Sequence, residues 1–215
     1  MVWCVNSTPM DSIDVEEGEN VVLKCRFPPE LSTRGSTLYW IRTNRRGHDN
    51  VAIGETPFQA SYKVDHRPQE GIYDLSISQA TYDRDNGDFE CRMKEGGTGN
   101  EFYSKSVQLT VLLMPSPPTI LSVDPTVTEG KTFNLTCESK GGSPAPEIKW
   151  FLAGKQLDAP VIEGWNKDVP TKAVLTINPR KEDDGSSYKC TVWNRALGDR
   201  KKFEASTKIY VNCKC

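Results

Sequence analysis

The residues of this 215-residue chain whose types could do chemistry are seven cysteines, two histidines and a few paired carboxylates. The cysteines are Cys4, Cys25, Cys91, Cys137, Cys190, Cys213 and Cys215. A metal site would ask for Cys-x-x-Cys pairs or histidine partners. The tightest pair here is Cys213-Lys214-Cys215, a Cys-x-Cys, so no metal is expected. Disulfides in an oxidising compartment are the reading that fits, with an odd thiol left over. Catalysis would need a nucleophile, a base and an orienting group brought together. His48 lies in Arg45-Arg46-Gly47-His48-Asp49 and His66 in Asp65-His66-Arg67, and both read as solvated loop histidines. Asp83 and Asp85, like Asp183 and Asp184, fall in turn sequences and read as turn formers and ion-pair partners. The expectation is a chain with no catalytic residue, no cofactor and no small-molecule substrate: a binding protein, not an enzyme.

Composition agrees with a soluble globular chain, at 36% hydrophobic and 26% charged residues. A formal net charge of −2 argues against nucleic acid or anionic lipid as a bulk electrostatic partner. No run of 18 apolar residues occurs, so no membrane segment is expected in this chain. The start, MVWCVNSTPM, has no basic region followed by an apolar one. A secreted or anchored protein would therefore carry its leader or anchor outside this sequence.

The elements that would position these residues are short strands broken by turn residues. In the first half they run Asn20–Cys25, Thr37–Ile41, Val51–Ile53, Ser61–Val64, Ile72–Ile77, Asp88–Met93 and Phe102–Leu112. In the second half they run Thr132–Glu138, Glu147–Leu152, Ala173–Ile177, Ser187–Trp193 and Lys201–Val211. Between the halves, Met114-Pro115-Ser116-Pro117-Pro118 reads as a short stiff linker. The expected division is an N-terminal segment 1–10 outside the core, a domain over 11–113, the linker 114–118, a domain over 119–212 and a tail 213–215.

One pattern occurs twice. Glu-Gly-x-x-x-x-Leu-x-Cys ends at Cys25 and again at Cys137. A tryptophan follows each after 15 and 13 residues, at Trp40 and Trp150. A second cysteine follows the first after 66 and 53 residues. The lead-in Asp85-Asn86-Gly87-Asp88-Phe89-Glu90-Cys91 and its counterpart Asp184 to Cys190 resemble the Asp-x-Gly-x-Tyr-x-Cys signature of the immunoglobulin fold. That resemblance implies an all-β fold of two tandem immunoglobulin-like β-sandwiches, with disulfides Cys25–Cys91 and Cys137–Cys190 under the tryptophans. The longer spacing leaves room for the extra strands of a variable-type domain; the shorter suits an intermediate or constant type. Phe89 replaces the usual tyrosine, so the first domain lacks the corner hydroxyl. In a variable-type domain Asp85 is expected to meet a cation from a neighbouring strand, Lys63 or Arg42.

Glu70 to Ile77, Tyr82 to Cys91, Leu109 to Leu112 and the proline-rich junction are similar to the first domain of nephrin and Neph-like adhesion receptors. Gly141 to Trp150 is similar to their second domain, and Tyr82-Asp83-Arg84-Asp85-Asn86-Gly87 is most similar to the insect echinoid receptors. The resemblance implies an extracellular, cell-surface ectodomain. It would bind a cell-surface immunoglobulin-superfamily protein, itself or a relative. The alternative is a secreted ligand-binding or decoy fragment of such a receptor. First domains of the family dock through one sheet, which carries over to Tyr39, Ile41 and Thr43, to Ile53 with Gln59 after it, and to Arg92 and Lys94. The residues argue the same way. If Trp40 and Cys91 face the core, alternation turns Tyr39, Ile41, Thr43, Arg92 and Lys94 outward. An aromatic, an aliphatic and an arginine together are interface residue types. Two Asn-x-Ser/Thr sequences, at Asn6 and Asn134, are candidate glycosylation sites.

Overall fold

Period-two alternation over runs too short for helices dictates sheets here, and glycine-rich turns end the strands. The computed structural model describes residues 10–199 and 202–212. Cys4, Asn6, Cys213 and Cys215 lie outside the described residues. The chain divides into two units, residues 1–111 and 112–215.

The first unit holds β1 (Asp11–Glu16), β2 (Val21–Leu23), β3 (Ser36–Asn44), β4 (Gly47–Ile53), β5 (Thr56–Pro57), β6 (Tyr62–Arg67), β7 (Ile72–Ile77), a single helical turn α1 (Tyr82–Asp85), β8 (Gly87–Glu95) and all but the last four residues of β9 (Glu101–Pro115). One sheet runs β1-β9-β8-β3-β4-β5; the other runs β2-β7-β6. Leu23, Trp40, Leu75, Phe89 and Leu109 fill the space between them around the Cys25–Cys91 disulfide. The Trp40 indole N–H donates to the Tyr73 carbonyl at 3.0 Å, so the largest core side chain leaves no polar atom unpaired. Phe89, without a hydroxyl, is wholly buried. Register shifts between Trp40 and Ile41, where Trp40 faces Ala52 but Ile41 faces Asn50. Val51 is the extra residue of this bulge, and consecutive Val51 and Ala52 are both buried.

The second unit holds β10 (Thr119–Ile120), β11 (Thr126–Thr128), β12 (Phe133–Ser139), β13 (Gly141–Ser143), β14 (Glu147–Leu152), β15 (Lys155–Leu157), β16 (Val161–Ile162), β17 (Thr171–Ile177), β18 (Ser187–Trp193), β19 (Phe203–Lys208) and β20 (Tyr210–Asn212). Its sheets are β10-β12-β17-β16 and β15-β14-β18-β19, with β11 and β20 pairing in parallel. Trp150 lies over the Cys137–Cys190 disulfide among Leu135, Ile148, Leu175 and Val192. Its indole donates to the Ala173 carbonyl at 3.2 Å. The spacing argument accounts for the difference between the units. A separation of 66 between the cysteines accommodates β4, β5 and β6 between the tryptophan strand and β7. A separation of 53 accommodates only the short β15 and β16.

Two expectations are corrected. Asp85 is fully buried, but neither Lys63 nor Arg42 is its ion-pair partner. Arg84, the residue before it, reaches its carboxylate at 2.7 Å. The Tyr62 hydroxyl donates to Asp85 at 2.7 Å and accepts from Arg42 at 2.9 Å. Alternation on β6 explains this: Tyr62 turns inward and Lys63 outward. Arg42 reaches Asp85 only through that hydroxyl and pairs directly with Asp49 at 2.8 Å. The histidines are not loop residues either. His48 is an exposed residue of β4. His66 sits on β6 opposite Tyr73, with its ring edge-to-face at 5.4 Å and both ring nitrogens buried.

Candidate functional site

The outward face of β4, β3 and β8 gathers the residues the sequence singled out, because directly opposed residues on neighbouring strands share a face. Tyr39 stands opposite Ile53 on β4 and opposite Arg92 on β8. Arg92 in turn stands opposite Ser104 on β9. Ile53, Tyr39, Arg92 and Ser104 thus form one row across four strands. Lys94, one outward position along β8, holds its ammonium 5.5 Å from the centre of the Tyr39 ring.

The arginine on this face is paired. Arg92 bonds Glu90 at 2.6 Å and approaches Glu101 at 3.3 Å. The hydrogen bond to Glu90 raises the Arg92 pKa above its ordinary value, against partial burial, with the charges of Glu90 and Glu101 adding to the rise. A partner closing over the row would meet a half-buried aromatic ring, an aliphatic end at Ile53 and an arginine already set in one orientation. Ordering side chains before contact lowers the entropic cost of binding. Among the described residues, no cluster of histidine, cysteine and carboxylate groups is placed to hold a metal ion.

The other expected residues fall elsewhere. Ile41 is only 6% exposed, which corrects its reading as a surface anchor. It lies outside the inter-sheet core, opposite Glu90 and Asn50, with the Glu90–Arg92 pair running beside it on β8. Alternation turned it outward, but its neighbours cover it. Thr43 is exposed toward the end of β3, its hydroxyl 2.8 Å from His48 Nδ1. Gln59 is exposed in the turn after β5, off the row; its carbonyl accepts the Tyr62 amide at 3.0 Å. Phe58 was missed. It is 55% exposed beside the edge strand β5, and an aromatic placed directly after Thr56-Pro57 was the available signal.

Asn134 is exposed on β12 of the second unit. Its side-chain oxygen accepts the Thr176 hydroxyl at 2.9 Å.

Residues 8–112 match the immunoglobulin V-set domain family, and residues 117–194 match an immunoglobulin domain family. The chain is therefore two immunoglobulin domains in tandem, variable-type first, within the immunoglobulin superfamily. Several of the relatives it matches are adhesion molecules by name. It is 30% identical over 184 residues to Kin of IRRE-like protein 2 of Mus musculus, covering 81% of this chain and 25% of that protein. It is 34% identical over 202 residues to junctional adhesion molecule A of Rattus norvegicus, covering 87% of this chain and 62% of that one. The crystal structure of Rst D1-D2 superposes with a TM-score of 0.62 at 26% identity, covering 96% of this chain and 98% of that one. The chain spans about a quarter of the length of the first curated relatives it matches.

Proposed function

We propose that this chain is the recognition part of an extracellular adhesion protein, and that it binds another immunoglobulin-superfamily chain through the outward face of β4, β3 and β8. The partner is a second copy or a relative. The observation that carries this reading is the row Ile53–Tyr39–Arg92 with Lys94 over the tyrosine ring. Aromatic and arginine side chains flanked by polar neighbours are the groups in which binding energy concentrates. Thr43 and Gln59 belong to the periphery of the same surface. The modules are residues 11–113 and 119–212, joined by 114–118. Within the adhesion receptors the chain is of the echinoid type in this reading, which rests on the resemblance of the stretch Tyr82–Gly87. The role is binding and not catalysis.

Bead aggregation tests the reading. Beads carrying the secreted chain are expected to cluster with one another or with beads carrying an adhesion relative. Beads carrying Tyr39→Ala are expected not to. Clustering that survives Tyr39→Ala places the contact elsewhere.

A further inference from the structure

From the side-chain geometry at Asn134 we infer that this residue carries an N-linked glycan covering the outward face of the β10-β12-β17-β16 sheet, which leaves the opposite sheet of the second domain as its open face. The sequence Asn134-Leu135-Thr136 lies wholly within β12. Leu135 and Cys137 are buried in the core, so alternation turns Asn134 and Thr136 together to the outside. Asn134 is exposed, and its amide nitrogen is the atom that matters. The hydrogen bond from Thr176 uses Oδ1, and no bond to Nδ2 occurs among the described residues. Glycosylation joins the sugar at Nδ2 and so breaks no native contact. The step transfers an oligosaccharide from a polyprenyl diphosphate donor. The Nδ2–C1 bond forms, the C1–O bond to the diphosphate breaks, the lipid diphosphate leaves with that electron pair and Nδ2 gives up one proton. The two disulfides are an independent sign of passage through the oxidising compartment where this transfer occurs.

The face around Asn134 suits a sugar cover. Its outward positions are Thr136 and Glu138 on β12 and Lys172, Val174 and Thr176 on β17. On the edge strand β16, Ile162 stands opposite Lys172 and is 63% exposed. Thr176 stands opposite Asn134, and four residues along β17 separate it from Lys172. That distance is about 13 Å at strand rise. A branched glycan rooted at Asn134 reaches it and shields an apolar side chain that the protein leaves bare. The opposite sheet, β15-β14-β18-β19, contains no Asn-x-Ser/Thr sequence.

Two lysines make a matched test. Lys172 on the proposed glycan face is 40% exposed and paired with Glu138; Lys149 on the opposite face is 42% exposed and paired with Glu147. The chain secreted from a eukaryotic cell is acetylated under limiting reagent, before and after enzymatic deglycosylation in heavy-oxygen water, and mapped by mass spectrometry. The expected result is a heavy-oxygen aspartate at position 134. Lys172 should be acetylated severalfold less than Lys149 before deglycosylation and at a comparable rate afterwards. Thr136→Ser should keep the glycan, while Asn134→Gln and Thr136→Ala should lose it. An unmodified Asn134 in the secreted, disulfide-bonded chain overturns the proposal. So does equal acetylation of the two lysines before sugar removal, which would mean a glycan that does not cover the face.

Discussion

Removing one oxygen atom, by Tyr62→Phe, should cost the first domain about 2–4 kcal/mol. Tyr62 is 3% exposed and its ring is part of the inter-sheet core, so phenylalanine keeps the volume and opens no cavity. What is lost is the hydroxyl that donates to Asp85 at 2.7 Å and accepts from Arg42 at 2.9 Å. Each is a hydrogen bond to a charged group, a class that contributes about 1.5–3 kcal/mol. The loss stays below the sum of the two because both ions keep other partners. Asp85 retains Arg84 and the Thr81 amide, and Arg42 retains Asp49 and the Arg84 carbonyl. Urea unfolding followed by tryptophan fluorescence measures the change as a lower midpoint at unchanged slope. Arg42→Met combined with Tyr62→Phe should be less destabilising than the two single changes added together, since the substitutions share one bond. A Tyr62→Phe variant that unfolds at the parent's urea concentration would refute the hydroxyl relay as a stabilising element.

Alkaline stability follows from the same residue. Burial, reinforced by the hydrogen bond to Asp85, raises the Tyr62 pKa well above the ordinary tyrosine value; burial does the same for Tyr73. Both folded values exceed the unfolded one near 10, so stability is intact below about pH 10 and falls above it, each group steepening the loss by about 1.4 kcal/mol per pH unit. Urea midpoints measured from pH 8 to 11 should show this fall, and Tyr62→Phe should flatten it; an unchanged slope would contradict the assignment. Ile41→Asp would place a carboxylate at a position only 6% exposed and should cost several kcal/mol and most of the secreted yield. A well-folded Ile41→Asp variant would show that this side chain is free at the surface after all.

Spacing and alternation made the scaffold legible, because few folds place two cysteines, a tryptophan and an acidic turn at these intervals twice. Ile72–Ile77, Glu147–Leu152 and Ser187–Trp193 form strands over the residues their alternation marks. The edge strands β5, β15 and β16, two or three residues each, are too short to show a period and are set by the neighbour they pair with. At the candidate site, alternation gives the side of the sheet but not the cover over it. It turned Tyr39 and Ile41 the same way, yet only long-range packing decides that Ile41 is screened and Tyr39 is not. The Asp85 network failed for a related reason. The turn motif points to cations on neighbouring strands, whereas Asp85 pairs with the adjacent Arg84 and its buried link to Arg42 is a neutral hydroxyl from β6. His66 misled by company: Asp65 and Arg67 point outward and pair with each other at 3.1 Å, while the histidine between them turns in against Tyr73.

The central claim is that recognition runs through the row centred on Tyr39. The most direct measurement is the dissociation constant of the secreted chain for its adhesion partner, or for itself, with Tyr39→Ala and Lys149→Ala compared against the parent. Urea midpoints establish that all three are folded. Tyr39→Ala is expected to weaken binding by about 2 kcal/mol, roughly thirtyfold, as removal of a central aromatic does at a hot spot. Lys149→Ala, on the second domain, is expected to bind like the parent. Tyr39→Ala binding with the parent's affinity while Lys149→Ala loses it would contradict the account and move the recognition surface to the second domain.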